Sequence, residues 1–166
     1  SGCDETLKRM NRRYTTGEYL QGVKYLRQYF EHPAITTDVI VGFPGETEEE
    51  FDATKAFLEQ VQFFEMHIFK YSRRKGTKAD TMPDQIAEEV KTMRSNELLE
   101  LEGMQSKAFR ENFIGKSVKV LLEEEKEIDG RLYWLGHTGE YVKVAVPSGE
   151  YVKNMFIDAE IKAFLT

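Results

Sequence analysis

The stretch Ile35-Thr-Thr-Asp38-Val-Ile-Val-Gly42-Phe-Pro44-Gly45-Glu46-Thr47-Glu-Glu-Glu50 constrains the fold more than any other. Residues 35–42 are a β-branched run, long enough for a strand and too short for a helix. Gly42, Pro44 and Gly45 then turn the chain. Thr47 and Glu50 have the spacing of a capping box, in which two side chains satisfy orphan backbone donors at a helix start. Strand, tight turn and capped helix in succession make the βα half of a parallel-sheet repeat. Phe51, Thr54, Phe57, Leu58 and Val61 keep helical period, and residues 66–71 read as the next strand. The expectation is a right-handed βαβ unit.

The flanking segments extend this pattern. Asp4 can cap a short helix carrying Leu7 and Met10, and Thr15 with Glu18 repeats the capping box ahead of Tyr19, Leu20, Val23, Leu26 and Phe30. Pro33 ends that helix. Asp84 is placed to cap a long helix with the apolar stripe Ile86, Val90, Met93, Leu101, Met104 and Ala108, ending near Asn112. From Phe113 the period changes to two, with Val118, Val120 and Leu122 alternating, and Asp129-Gly130 is a hairpin signal. Residues 131–138, 141–146 and 156–164 read as further strands. The expected fold is α/β with parallel strands over 1–112, followed by a small closed β-barrel over 113–166.

Composition sets outer limits. The net charge of −6 argues against a generic nucleic-acid sponge. No apolar run approaches the roughly 18 residues of a membrane span. The single cysteine, Cys3, forbids an intrachain disulfide, and the expected compartment is the cytoplasm. The cations are clustered, however: Lys8, Arg9, Arg12 and Arg13 in one group, Arg73, Arg74, Lys75 and Lys78 in another. Loops that follow parallel strands share one rim, so both groups can converge on a phosphate-rich partner; solvated surface is the plainer alternative. The Gly42–Gly45 turn is likewise open to two readings. Its glycines can simply supply positive φ, or the helix start behind them can offer backbone N–H groups to a ligand. His32, His67 and His137 have no metal-ligand spacing, and no nucleophile stands beside a base.

Three motifs in order, Ser1-Gly-Cys-Asp-Glu-Thr-Leu-Lys-Arg-Met-Asn-Arg-Arg-Tyr-Thr15, residues 37–47 and Tyr71-Ser-Arg-Arg-Lys-Gly-Thr77, resemble the radical S-adenosylmethionine (SAM) methylthiotransferases. The segment opening Phe113-Ile-Gly-Lys resembles the TRAM domain that closes those proteins. The opening and the Arg-Arg-Lys-Gly-Thr loop are most similar to the MtaB-like subgroup, which implies conversion of N6-threonylcarbamoyladenosine beside the tRNA anticodon to its 2-methylthio form. The family resemblance implies SAM and two 4Fe-4S clusters as cofactors, one cluster held by three cysteines of an N-terminal domain and one by a Cys-x-x-x-Cys-x-x-Cys motif. Neither cysteine set is present in this chain, so their ligands are expected outside it. The chain then corresponds to the C-terminal portion of such an enzyme, inactive without its N-terminal part.

Carried over by residue, strand 35–42 matches the fifth barrel strand, where Asp38, Ile40 and Gly42 are expected at the SAM adenine. Strand 66–71 matches the sixth, with Phe69 and Tyr71 bordering the same pocket. Arg12 and Arg13 are expected at the SAM carboxylate or a tRNA phosphate. Arg73, Arg74 and Lys75, and in the β part Arg131, Tyr133 and Lys143, are expected RNA contacts. The β part has seven Lys/Arg against nine Asp/Glu, so any RNA contacts there should be few; Trp134 and Tyr141 are open to stacking or to core packing. A barrel cut between strands leaves an unpaired edge, which favours self-association. The alternative reading is a non-catalytic RNA-binding adaptor.

Overall fold

Apolar residues alternate along two short strands and decide which face each buries. In the computed structural model, which describes residues 1–165, α1 (Asp4–Arg9) and α2 (Thr16–Tyr29) precede β1 (Thr36–Val41). After β1 come α3 (Glu48–Val61) and β2 (Glu65–Lys70). β1 and β2 pair in parallel, Thr36 opposite Glu65 and Val41 opposite Lys70, with α3 as the crossover. Val39, Val41 and Met66 are buried in one cluster with Val23 of α2 and with Phe51, Leu58 and Val61 of α3. Leu98 and Leu101 complete that cluster from α4 (Glu88–Glu111). Both capping boxes form: Thr15 with Glu18 and Thr47 with Glu50. Each satisfies two otherwise unpaired N–H groups.

Two compact units result, Ser1–Ser106 and the remainder from Lys107. The second holds β3 (Ser117–Ile128), β4 (Arg131–His137), β5 (Lys143–Pro147) and β6 (Phe156–Glu160), in antiparallel order β5-β4-β3-β6. Asp129 and Gly130, both at positive φ, make the β3–β4 hairpin. Val120, Leu122, Trp134 and Val144 form the core, with Val118, Val146, Ile157 and Ala159 packed on it. Trp134 is therefore a packing residue.

Four expectations are corrected. The β-barrel is not closed: among the described residues β5 and β6 do not pair, and a cleft of about 390 Å³ lined by Val144, Val146, Ala159 and Ile161 separates these five-residue edge strands. Asp84 does not cap α4. Its φ is +56°, and its carbonyl instead accepts the Gly45 N–H at 2.9 Å, so the helix starts at Glu88. Asp4 does not cap α1: Cys3 is the residue before the helix, and Asp4 Oδ1 instead accepts the Thr16 N–H at 2.7 Å. The acidic run 123–127 approaches the hairpin in β3, paired with β4, and a bulge between Leu122 and Glu124 sets Glu123 apart. Glu123 Oε2 lies 2.9 Å from His137 Nδ1. Finally, Tyr141 takes φ +65° and delays β5 to Lys143, while β6 stops at Glu160.

The close β3–β4 approach rests on Gly136, where an added Cβ would lie 2.1 Å from the Leu121 carbonyl oxygen. Backbone cannot step aside as a side chain can. Gly136→Ala is expected to destabilise the β unit by about 1–3 kcal/mol in urea titrations followed by Trp134 fluorescence.

Candidate functional site

Period-two alternation puts Asp38 and Ile40 of β1 on the sheet face opposite Val39 and Val41. Ile40 pairs with Phe69 of β2, so these two apolar side chains stand adjacent on that face. There a cleft of about 770 Å³ opens at the ends of the parallel strands. Asp38, Ile40, Phe69 and Tyr71 line it, with Phe43 from the turn after β1, Arg12 from the segment after α1, and Arg74. Ile40 is half-buried, Asp38 is exposed, and Phe69 is 52% exposed, unusual for a phenylalanine in a strand.

The cleft thus brings together Arg12, Asp38, Ile40, Phe69, Tyr71 and Arg74 from the set singled out in the sequence. Arg13 and Lys75 are exposed and do not line it. Arg73 is turned to Asp80: its Nε donates to Oδ1 at 2.9 Å and an Nη to the carbonyl at 2.7 Å. Arg9, from the first basic cluster, is bound to Glu50. Gly42 does not line the cleft. In the β unit Tyr133 and Lys143 line the cleft between β5 and β6, and Arg131 does not. Among the described residues no group of three or more His, Cys, Asp or Glu is placed to hold a metal ion.

The turn after β1 holds a part that sequence reasoning missed. Gly42, at φ +71°, donates its N–H to Glu46 Oε1 at 2.9 Å. The same oxygen accepts from Arg94 of α4 at 2.7 Å, and Arg94 also donates to the Glu46 carbonyl at 3.1 Å. Glu46 and Arg94 are 3% and 5% exposed, so this ion pair is fully enclosed. The Arg94 guanidinium also lies 5.2 Å from the Phe51 ring centre. Burial pushes the Glu46 carboxyl above its ordinary range, against the opposing pull of the Gly42 N–H and Arg94. One helical turn earlier, the Lys91 stem fills the space that Gly42 leaves. A Cβ on Gly42 would come within 2.3 Å of Lys91 Cγ. In the sequence both cations sit in a Glu-rich helix and read as solvated face; nothing local marks them as buried.

A second carboxylate behaves oppositely. Arg9 of α1 binds Glu50 through two guanidinium nitrogens, one donating to Oε1 at 2.7 Å, and Thr6 Oγ1 donates to Oε2 at 3.2 Å. The Arg9 hydrogen bond holds the Glu50 carboxyl below its ordinary range. This contribution is present at neutral pH and is lost as pH falls through the depressed value; Glu46, with a raised value, contributes in the reverse sense.

Two measurements follow from these pairs. Arg94→Met strands the Glu46 charge and should cost about 3–5 kcal/mol, with Glu46→Gln/Arg94→Met recovering part of it in urea titrations. Arg9→Met should flatten the acid side of the stability profile. Denaturation midpoints between about pH 7 and pH 3 should fall less steeply than in the wild type.

Comparison with known proteins places these motifs. Residues 1–58 match the radical SAM superfamily. The chain is 46% identical, over 129 residues, to the tRNA-2-methylthio-N(6)-dimethylallyladenosine synthase of Oceanobacillus iheyensis, covering 78% of this chain and 25% of that protein. It is 36% identical over 162 residues to the threonylcarbamoyladenosine tRNA methylthiotransferase MtaB of Bacillus subtilis, covering 97% of this chain and 36% of that one. A synthase of the first kind from Desulfitobacterium hafniense is 40% identical over 148 residues, 89% of this chain and 33% of its own. The chain thus spans between a quarter and about a third of the length of these curated relatives. With its motifs and nearly all of its length matched in this way, the chain belongs to the radical SAM tRNA methylthiotransferases.

Proposed function

We propose that this chain is the SAM- and tRNA-engaging portion of an enzyme that adds a methylthio group to an N6-modified adenosine beside a tRNA anticodon. The observation that carries the reading is the cleft on the open face of the parallel sheet. Its floor is the paired Ile40 and Phe69, and cationic Arg12 and Arg74 are among its walls. An apolar floor suits a purine face, and a guanidinium suits a carboxylate or phosphate. Tyr71 adds a hydroxyl with no hydrogen-bond partner among the described residues.

The residues present fit SAM. Ile40 and Phe69 would hold the adenine, Asp38 is an acceptor for a ribose hydroxyl or the ammonium, and Arg12 answers the carboxylate. Gly42 would act by keeping the turn close to the sheet, and Arg13 by adding positive field nearby. When bound, SAM supplies the methyl group and the radical precursor that the family's chemistry requires. This chain's own contribution is to bind and orient it and to exclude water from its apolar side. The residues present do not fit a 4Fe-4S cluster, since Cys3 is the only cysteine in the chain. The family's two clusters would be held by an N-terminal part, without which this chain would be inactive.

RNA would meet the cleft at Arg74 and Lys75, with Arg73 serving as the clasp that holds their loop. The unit from residue 113 on would act as a TRAM domain, adding Arg131, Tyr133 and Lys143. For the substrate, the Arg-Arg-Lys-Gly-Thr loop and the 97% coverage against the Bacillus protein support threonylcarbamoyladenosine. The 46% identity to the Oceanobacillus synthase favours dimethylallyladenosine as the second reading. Cytoplasmic placement follows from a tRNA substrate, and no helix among the described residues is long and apolar enough to cross a membrane. The outer edges of β1 and β2 would also let the isolated chain self-associate by strand addition.

Calorimetric titration with SAM tests the cleft. The wild-type chain should bind, and Ile40→Asp should weaken binding at least about tenfold by placing a charge under the purine. Equal affinity of the two proteins would refute the assignment, and tight tRNA binding with no SAM binding would favour an RNA-binding adaptor instead.

A further inference from the structure

Lys91 is nearly buried, 8% exposed, and its surroundings do not satisfy it in the usual way. Its ammonium has one carboxylate contact, Glu88 Oε2 at 3.5 Å, and Glu88 is itself drawn away by Lys70, 2.6 Å from its other oxygen. An ammonium with three donors and one long acceptor, on a side chain this enclosed, gains from a further group that stabilises it. That group is the Tyr71 ring, whose centre lies 5.7 Å from Lys91 Nζ, within cation–π range. Tyr71 in turn meets Phe43 edge to face, with ring centres 5.3 Å apart. Tyr71 and Phe43 both line the cleft, and Lys91 does not.

Lys91 reaches this position only because Gly42 has no side chain. Its stem crosses the turn after β1 where a Cβ would collide with it. Its head then lies by the residue that follows β2, which the Tyr71 N–H to Val41 carbonyl bond of 2.8 Å fixes at the sheet end. One side chain from α4 therefore touches both chain segments that follow the parallel strands.

We propose that Lys91 is a positioning residue for the cleft, holding the Tyr71 ring against Phe43 so that the wall facing the ligand is preformed. The assignment rests on the SAM reading above only for the ligand; the contact between Lys91 and Tyr71 stands apart from it. Without the cation the Tyr71 side chain gains rotamer freedom, and ligand binding must then order it again. The variant Lys91→Met keeps the stem that packs on Gly42 and removes only the charge. Lys91→Arg keeps a cation.

The test uses the full chain labelled with 3-fluorotyrosine, the Tyr71 fluorine signal being assigned by its disappearance in Tyr71→Phe. In Lys91→Met that signal should shift and narrow towards a solvent-averaged value, with Lys91→Arg remaining near the wild type and thermal melting confirming that all variants fold. SAM affinity by calorimetry should fall about tenfold in Lys91→Met and less than about threefold in Lys91→Arg. An unchanged Tyr71 signal in folded Lys91→Met would overturn the inference, as would a changed signal with wild-type SAM affinity. Should the wild type bind no SAM, the proposed function fails, while the fluorine signal still decides whether Lys91 holds the ring. If Lys91→Met does not fold, Glu88→Gln takes its place. Freeing the ammonium from its carboxylate should leave the Tyr71 signal in place, and loss of that signal would show that the carboxylate, not the ring contact, holds the arrangement.

Discussion

Glu46 and Arg94 form the interaction on which the first unit depends. Moving two full charges out of water is expensive, and their attraction offsets this only when geometry and further hydrogen bonds are good. Both conditions hold, because the carboxylate takes the Gly42 N–H as well as the guanidinium, and the guanidinium also reaches the Glu46 carbonyl. A hydrophobic pair of equal volume would contribute comparable stability. What it would not do is fix the backbone, since the charges specify where residues 42–46 lie relative to α4. The pair thus sets the rim of the cleft, with ion-pair stabilisation directed to geometry more than to net folding energy.

From that anchor the cleft takes shape without strain in the sheet itself. The turn carries Phe43 to the cleft wall, the Asp84 carbonyl takes the Gly45 N–H, and α4 follows with Lys91 and Arg94 one turn apart. Beside Gly45 of the same turn, α1 is fastened to the start of α3 through Arg9 and Glu50, which holds the residues after α1 and hence Arg12. The cleft's walls therefore come from segments far apart in sequence, some held by strand pairing, as Tyr71 is by Val41, and others tied to the core by ion pairs.

Much of this was legible in the sequence. The β-branched run, both capping boxes and the Asp129-Gly130 hairpin are local signals, each with its cause within a few residues, and each appears where the pattern puts it. Asp38 and Ile40, expected at the SAM adenine from the family resemblance, line the cleft in the structure. Other features were not legible because their causes are non-local. Asp84 looks like a helix cap, but its carbonyl is recruited by Gly45 some forty residues away in the chain, and the helix starts later. Arg94 looks like any arginine on a Glu-rich helix until Glu46 is folded against it.

Net charge is the least informative quantity for the cleft. The chain carries −6, yet several acids nearest the first unit's framework are matched by cations: Glu46 by Arg94, Glu50 by Arg9, Glu88 by Lys70, Glu97 by Lys55. The surplus of acids lies elsewhere, on the exposed sides of helices and of β3. What a ligand in the cleft meets is set by the residues within a screening length of about 8–10 Å, and there Arg12 and Arg74 oppose Asp38. An acidic protein can therefore present a cationic cleft to an anion.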